Sequence, residues 1–360
     1  MATADTAGQK RRQFHTLRVA EVQHLCDDAV AITFDVPEEE VDQFSFRPGQ
    51  TLTLRRREER GEERRSYSIC SARGNRPKVG VRLVPEGLFS TWLTTHVQPG
   101  DDIEALPPTG NFTPDLTRTG HHVLIAAGSG ITPVLSIAAS LLQDTESHVT
   151  LLYGNRRSNT VMFADELADL KDAHPARLDL VHVLSREPRE SELLSGRLDA
   201  DKLRALLRNL VPRDGDEHWW LCGPHGMVTD ASQVLEELDV PATNVHRELF
   251  YVDAPPELVR HEESTAEGPT ADATITLDGR TTSLTVPRDV PVLDSAQKVR
   301  PDLPFACKGG VCGTCRARIT EGEVRMRRNF ALDPAEVDDG FVLTCQSLPV
   351  TDTLAVDYDT

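Results

Sequence analysis

Four cysteines toward the C-terminal end constrain this chain more than any other feature. Cys307, Cys312 and Cys315 are spaced C-x4-C-x2-C, and Cys345 follows after 29 intervening residues. A chain that gathers these thiols must close a tight loop and then return a later segment to it. The order and spacing match the ligands of a plant-type [2Fe–2S] cluster, and thiolates are what an iron–sulfide cluster requires. Gly309, Gly310 and Gly313 lie among the cysteines. They open backbone angles closed to other residues, so amide N–H groups can turn toward sulfur. Two other readings stay open. Four thiolates also hold zinc, although zinc sites usually show two C-x2-C-like pairs and one is present here. Disulfides are the other, and a reducing compartment disfavours them. A lone cluster moves one electron at a time, so the rest of the chain has to account for where electrons come from and go.

The length of 360 residues suggests two or three domains, each able to bury a core. The formal net charge of −18 argues against nucleic acid or an anionic membrane as partner, because both need a basic face. Seven cysteines in a chain this long do not make a disulfide scaffold, and Cys26, Cys70 and Cys222 lie outside the cluster set. Met1 to Arg12 is polar and then basic, with no apolar run behind it. No signal peptide, transmembrane helix or membrane insertion is expected, and the expected location is cytoplasmic.

Three kinds of segment follow one another. From Phe14 to about Pro108 the pattern is short strands, around Val30–Phe34, Thr51–Leu54, Arg65–Ile69 and Val79–Val84, separated by turn residues. That reads as a small antiparallel β-barrel. One helix, Phe89 to His96, interrupts it, and the charge run Arg55 to Arg65 reads as an exposed hairpin loop. From His122 to Phe250 apolar strands alternate with helices, which reads as an α/β parallel sheet covered on both faces. Asp253 to about Ala271 is polar and apolar-poor, as a linker is. Beyond it, strands Thr274–Leu277 and Ser283–Val286 flank the turn Asp278-Gly279. A helix is expected at Val292–Val299. A short one is expected at Pro334–Val337, with Asp333 as N-cap and Gly340 past its end, before a strand delivers Cys345.

The candidate binding residues sit where these elements end. Arg65-Ser66-Tyr67-Ser68 lies on a barrel strand; an arginine can fork onto a pyrophosphate and a tyrosine ring can cover a flat heterocycle. An ordinary strand with a half-buried Tyr is the plain alternative. Gly128-Ser129-Gly130-Ile131-Thr132-Pro133 joins a buried strand to a helix, where amides and the helix N-terminus favour phosphate. Pro133 suits the first helical position. The pattern departs from G-x-G-x-x-G at its last position. Arg156 and Arg186 end the next two strands; an NAD-preferring fold often places an acid there, whereas arginine suits a 2′-phosphate. Solvated arginines are equally compatible with these positions. Cys222-Gly223-Pro224 follows an apolar strand at the edge where ligands bind, and Cys222 is either near a hydride path or a packing residue. His121, His122, His225 and His246 show no metal-ligand spacing and read as structural.

These residues resemble a known family. Residues from about Phe14 to Phe250 resemble a ferredoxin-NADP reductase module: Arg65-x-Tyr67-Ser68 is its flavin motif, and Gly128–Pro133 with Cys222-Gly223-Pro224 are its nicotinamide-nucleotide motifs. Residues from about Ala273 to Thr360 resemble a plant-type ferredoxin, in the α+β β-grasp class. Reductase followed by ferredoxin is similar to oxygenase reductase components. Asn329-Phe330-Ala331-Leu332 and Leu343-Thr344-Cys345-Gln346-Ser347 look most like the reductases of phenylacetyl-CoA epoxidases, then those of 3-ketosteroid 9α-hydroxylases.

The resemblance implies a multidomain chain: an FAD-binding barrel over 14–118, an NAD(P)-binding domain over 119–252, a linker over 253–271 and a [2Fe–2S] domain over 272–360. It implies Arg65 on the flavin phosphates, Tyr67 stacked on the isoalloxazine, Ser68 near N5, and Ser90 and Thr91 supporting the pyrophosphate. It also implies Glu248 near the nicotinamide and Phe250 shielding the flavin. The expected activity is an NAD(P)H oxidoreductase, with NADPH preferred over NADH, that passes electrons through FAD and the cluster to an oxygenase. Rival readings are a non-enzymatic iron–sulfur sensor or scaffold, which leaves the upstream motifs without purpose, and a self-contained flavoenzyme. Arg325, Arg327 and Arg328 cluster within four residues, which reads either as protection of a strand edge or as a docking patch.

Overall fold

The computed structural model describes residues 13–58, 61–212, 215–250, 269–305, 307–332 and 334–360. The chain divides into two compact units, one running Phe14–Tyr251 and the other holding the described residues from Pro269 on.

The first unit opens with six antiparallel strands: β1 His15–Cys26, β2 Ala29–Asp35, β3 Thr51–Glu58, β4 Gly61–Ser68, β5 Lys78–Arg82 and β6 Asp102–Ala105. Their order is β4-β3-β6-β1-β2-β5. The two edges meet where Ile69 bridges Val79 and the Cys70 N–H donates to the Lys78 carbonyl at 2.8 Å, which closes the sheet as a barrel. Leu17, Val19, Ile32, Phe34, Leu52, Leu54, Val79 and Val81 fill its interior. Helix α1 Leu88–Thr95 covers it through Phe89 and Leu93. The turn Pro48-Gly49-Gln50 needs its glycine, because φ is +87° and a Cβ there would lie 1.9 Å from the Phe112 carbonyl oxygen.

The run Arg55–Arg65 is a paired hairpin rather than an exposed loop. Strand β3 continues through Glu58 and β4 starts at Gly61, in register from Arg55↔Arg64 to Glu58↔Gly61. Arg55 is ion-paired with Glu104 on β6, Arg64 with Glu62, and Arg55 lies 3.7 Å over the Phe14 ring. Charge density suggested solvent, but cross-strand pairing and stacking make these residues strand formers.

Five parallel strands complete this unit: β7 His121–Ala127, β8 His148–Asn155, β9 Leu178–Leu184, β10 His218–Gly223 and β11 Val245–Leu249, in the order β11-β10-β7-β8-β9. Helices α2 Ile131–Asp144 and α3 Ala164–Ala173 pack on one face, and α4 Ala200–Leu210 and α5 His225–Glu237 on the other. Helix α4 is amphipathic. It buries Leu203, Leu206 and Leu207, about 1.5–3 kcal/mol each, and Asp199 caps it by accepting from the Lys202 N–H at 3.0 Å. Helix α2 begins at Ile131, after a 3-10 turn Gly128–Gly130, so Pro133 is its third residue and not its first. The first turn has no intrahelical N–H bonds to lose, which is why proline fits there.

The second unit carries β12 Thr270–Leu277, β13 Arg280–Pro287, β14 Arg316–Glu321, β15 Val324–Met326, β16 Phe341–Leu343, β17 Ser347–Pro349 and β18 Thr353–Asp357, with α6 Val292–Ala296 and α7 Pro334–Asp338. The main sheet runs β13-β12-β18-β14-β16, with β12 and β18 parallel, and β15 pairs with β17. Asp278 and Gly279 both have positive φ, 53° and 67°, as a two-residue hairpin turn demands. The expected linker lies outside the described residues up to position 268, and its last two residues belong to β12. Helix α6 stops at Ala296, three residues short of the expectation; the chain beyond it closes single turns such as Arg300 N–H to the Ala296 carbonyl. Asp333 lies outside the described residues, while Gly340 follows α7 with φ +88°.

Candidate functional site

Strand order reverses between β7 and β10, so the carboxyl ends of these strands flank a crevice, the place where ligands bind in open α/β sheets. The turn Gly128–Gly130 ends β7 and Cys222-Gly223-Pro224 ends β10. The two are packed backbone to backbone. A Cβ on Gly130 would lie 2.2 Å from the Cys222 carbonyl oxygen, so only glycine permits this approach. Gly128 has φ +57°, and its carbonyl accepts from the Tyr153 hydroxyl at 3.0 Å. Thr132 is buried and donates to the Ser129 carbonyl, which fixes the turn from below. Pro224 precedes the first residue of α5, with φ −58° and ψ 143°.

The barrel contributes from β4. Tyr67 and Ser68 point to opposite faces. The Tyr67 ring stacks on Phe89 at 6.1 Å, and burial pushes its hydroxyl pKa upward. Ser68 is buried and its hydroxyl donates to Glu248 Oε2 at 3.4 Å. Glu248 lies on β11, directly in register with Cys222 on β10. The structure therefore brings Ser68, Cys222 and Glu248 together from three strands. Burial pushes the Glu248 carboxyl up to about 8, against the opposing pull of the Ser68 hydroxyl. Burial, then the charge of Glu248, pushes the Cys222 thiol well up. This corner holds its protons at neutral pH and presents a neutral surface. Phe250 follows β11 and packs partly buried against the core of the sheet.

Arg65 is exposed, with one guanidinium N–H donating to the Arg64 carbonyl at 2.7 Å. Ser90 is buried and its hydroxyl is spent locally, accepting from the Val84 N–H at 3.1 Å and donating to the Gly87 carbonyl at 3.1 Å. Thr91 gives its N–H to the Gly87 carbonyl. The side chain of Ser90 thus shapes the turn before α1 and has no donor left over for a phosphate.

Arg156 and Arg186 are brought side by side at the ends of β8 and β9, where the Arg186 N–H donates to the Arg156 carbonyl at 2.8 Å. Both are exposed, and among the described residues neither forms an ion pair. Sequence reasoning missed two neighbours. Glu187 accepts from the Ser158 N–H and hydroxyl at 2.8 and 2.9 Å, and those bonds hold its carboxyl low. The buried Asn155 amide sits beside Arg156 and within reach of the Tyr153 hydroxyl. The signal for both was adjacency to the two arginines.

Histidines 121, 122 and 246 act within the sheet. Trp220 Nε1 donates to His122 Nδ1 at 3.2 Å, and Trp220 stacks on His246 at 4.0 Å. Burial, with His218 beside it, lowers His122 to about 3, so it stays neutral. His121 Nε2 lies 2.9 Å from the Thr150 hydroxyl. His225 opens α5.

In the second unit the loop before β14 carries Cys307, Cys312 and Cys315, and the turn between β16 and β17 carries Cys345. All seven cysteines of the chain are free thiols. Cys315 and Cys345 are buried, whereas Cys307 and Cys312 are half-buried. The four approach as two pairs. A hydrogen bond from Cys312 lowers Cys307, and one from Cys315 lowers Cys345. The donors of each pair are raised in turn. Two thiol pairs suit two irons better than one zinc. Gly310 and Gly313 have φ of +80° and +68°, and the Gly309 N–H donates to Cys307 Sγ at 3.3 Å. Gln346 ties the two loops together, donating to the Lys308 carbonyl at 2.8 Å and to Cys345 Sγ at 3.7 Å. This donor set and loop fit a [2Fe–2S] cluster.

Comparison with known proteins decides the family. The chain matches three family models: an oxidoreductase FAD-binding domain over residues 16–113, an oxidoreductase NAD-binding domain over 124–233 and a 2Fe-2S iron-sulfur cluster binding domain over 275–350. It is 41% identical to a component of the 1,2-phenylacetyl-CoA epoxidase of Escherichia coli, over 96% of this chain and 98% of that protein. The chain belongs to the ferredoxin-NADP reductase-type oxygenase reductases with a C-terminal [2Fe–2S] domain. This reductase is also 36% identical to the ferredoxin reductase component of 3-ketosteroid-9-alpha-monooxygenase from Rhodococcus rhodochrous, over 95% of this chain and 96% of that one. The structure of phthalate dioxygenase reductase shares its fold, with a TM-score of 0.61 and 23% identity over 97% of this chain and 99% of that chain. The reductase is an electron-transfer oxidoreductase that uses NAD(P)H, FAD and a [2Fe–2S] cluster. No helix among its described residues is long and apolar enough to cross a membrane.

Proposed function

We propose that this reductase delivers electrons from NADPH to the oxygenase component of a phenylacetyl-CoA epoxidase. The observation that carries the reading is the 41% identity to the epoxidase component, against 36% to the ketosteroid component, each over nearly the full length. Bound FAD would supply two-electron chemistry toward a hydride donor, and a bound cluster one-electron chemistry toward the partner. The residues of the chain bind and orient. Tyr67 would cover one face of the flavin ring and Phe250 the other. Arg65 binds the flavin phosphates, with the turn held by Ser90 and Thr91 beside them. Ser68, whose hydroxyl is given to Glu248, would line the flavin edge, and Glu248 and Cys222 would keep a neutral, proton-holding floor for the nicotinamide. The turn Gly128–Gly130 with Thr132, Pro133, Gly223 and Pro224 receives the nucleotide phosphates. Cys307, Cys312, Cys315 and Cys345 would hold the [2Fe–2S] cluster through their thiolates.

Arg156 and Arg186 receive the 2′-phosphate of NADPH, both standing exposed at the carboxyl edge of the sheet. The domain limits are 14–118, 119–252 and, after the linker, 270–360, where β12 begins, and the protein is cytoplasmic. The test is reconstitution. Purified reductase, NADPH and the oxygenase components of a phenylacetyl-CoA epoxidase should yield epoxide. Turnover with ketosteroid 9α-hydroxylase oxygenase alone would move the assignment to that partner. In the same assay, removing both arginines should cut the preference for NADPH over NADH several-fold, about 1 kcal/mol for exposed ion pairs. An unchanged preference would place 2′-phosphate recognition elsewhere.

A further inference from the structure

We propose that Arg325, Arg327 and Arg328 form a basic docking face beside the cluster loop that meets an acidic surface on the electron-accepting protein. This rests on the reading of the chain as an oxygenase reductase and adds the chemistry of the partner's face.

Strand β15 turns Val324 and Met326 toward the core, where both pack against its buried residues, and Met326 Sδ accepts from the Leu343 N–H at 3.3 Å. Alternation then sends Arg325 and Arg327 outward. All three arginines are exposed, and among the described residues none of them is ion-paired. Other cations of this unit are committed: Arg288 to Asp352, Arg300 to Asp302, Lys308 to Asp294 and Arg316 to Glu336. Of the six cations of this unit without an ion pair among the described residues, three lie within this four-residue segment, the others being Arg280, Lys298 and Arg318.

The segment is tied to both cysteine loops. The Arg327 N–H donates to the carbonyl of Gln346, the residue after Cys345, at 2.9 Å. The Phe330 N–H donates to the Gly310 carbonyl at 3.0 Å, and a Cβ on Gly310 would lie 3.2 Å from the Arg328 carbonyl oxygen. Cys307 and Cys312 on that loop are themselves half-exposed. A protein docked on the arginines would therefore stand next to the edge from which an electron leaves. The whole chain carries a formal charge of −18, and residues 271–360 hold ten Lys and Arg against fourteen Asp and Glu. An acidic partner is repelled by the chain at large, so a local basic face would orient it to one place. Such steering acts on association rate and weakens as salt shortens the screening length below about 10 Å.

The test uses the full holoprotein with all three arginines changed to Gln, and a companion with all three changed to Lys. NADPH-driven reduction of cytochrome b5, an acidic protein, and of cytochrome c, a basic one, is followed at low and high salt. Ferricyanide reports the internal steps. The Gln variant should reduce cytochrome b5 about tenfold more slowly at low salt. The gap should close at high salt and the Lys variant should recover the rate, while cytochrome c is not slowed and ferricyanide is unchanged. An unchanged cytochrome b5 rate at low salt, or equal slowing of both cytochromes, overturns the proposal. So does a Gln variant that self-associates while its monomer keeps the wild-type rate, since the arginines would then only guard the edge of β15. Loss of ferricyanide reduction by the wild type would instead overturn the reductase reading beneath it.

Discussion

Cys222 in the nucleotide sheet and Cys345 in the cluster unit are equally hidden, at 0% and 3% exposure, yet they titrate in opposite directions. Around Cys222 nothing compensates the loss of water, and the Glu248 carboxyl adds to the penalty, so the thiol keeps its proton. Cys345 accepts a hydrogen bond from Cys315 and another from Gln346, and these outweigh its burial. Burial alone does not set the chemistry of a thiol; the donors aimed at it do. The same contrast runs through the two regions. The corner of Ser68, Cys222 and Glu248 holds protons and stays neutral, whereas in each cluster pair a hydrogen bond from one thiol pushes the other down.

The harshest way to break this contrast is to remove one thiolate. Cys307→Ser should abolish or gravely disturb the cluster, read as iron and labile sulfide, while FAD content stays at the wild-type level, because the flavin residues belong to the other unit. A parallel loss of FAD would show that the regions are not independent. Stoichiometric zinc without sulfide in the wild type would remove the cluster altogether.

The proton-holding side is tested through Glu248. Its folded pKa of about 8 stands above an ordinary 4.5. The folded chain then retains a proton that the unfolded chain has released between those values. The carboxyl's contribution to stability is fully present below pH 4.5 and is lost as pH rises through 8. Glu248→Gln should flatten that decline, read as the difference in Tm between about pH 5 and about pH 8. An identical decline in variant and wild type would mean that the carboxyl is ionised in the folded protein. A smaller effect is expected from Tyr67→Ala. Losing one stacked face should weaken FAD binding by about 1 kcal/mol, near fivefold, in a flavin titration. Unchanged affinity would leave the ring with a packing role against Phe89.

How far the sequence could be read depended on how local each signal was. Strands β7 and β10 were visible because both faces are buried and their apolar runs are unbroken. Strand β1 went unseen. Its register shifts between Val19 and Glu21, and again between His24 and Cys26, and each shift breaks the alternation that marks a strand. Strand β11 is half-buried along its length and carries no clear period. The hairpin of Arg55–Arg65 was legible, but its strand pairing was not, because its charges are neutralised by residues distant in sequence, as Glu104 is for Arg55. Three of the four cluster thiols sit within nine residues, and their spacing alone defines the site. Ser68 and Glu248 are 180 residues apart, so nothing in their local patterns joins them; only the family resemblance implied Ser68 near the flavin and Glu248 near the nicotinamide. That Ser90 serves its own turn was not legible, since a hydroxyl at a helix start looks the same whether it faces a phosphate or a carbonyl.

The central claim is that one chain joins a two-electron station to a one-electron station. Anaerobic titration of the purified holoprotein with dithionite, followed by visible absorbance, tests it most directly. The account expects uptake of about three electrons per chain, two by the flavin and one by the cluster, falling to about two in Cys307→Ser. Two electrons in the wild type, with no absorbance change beyond that of the flavin, would contradict it.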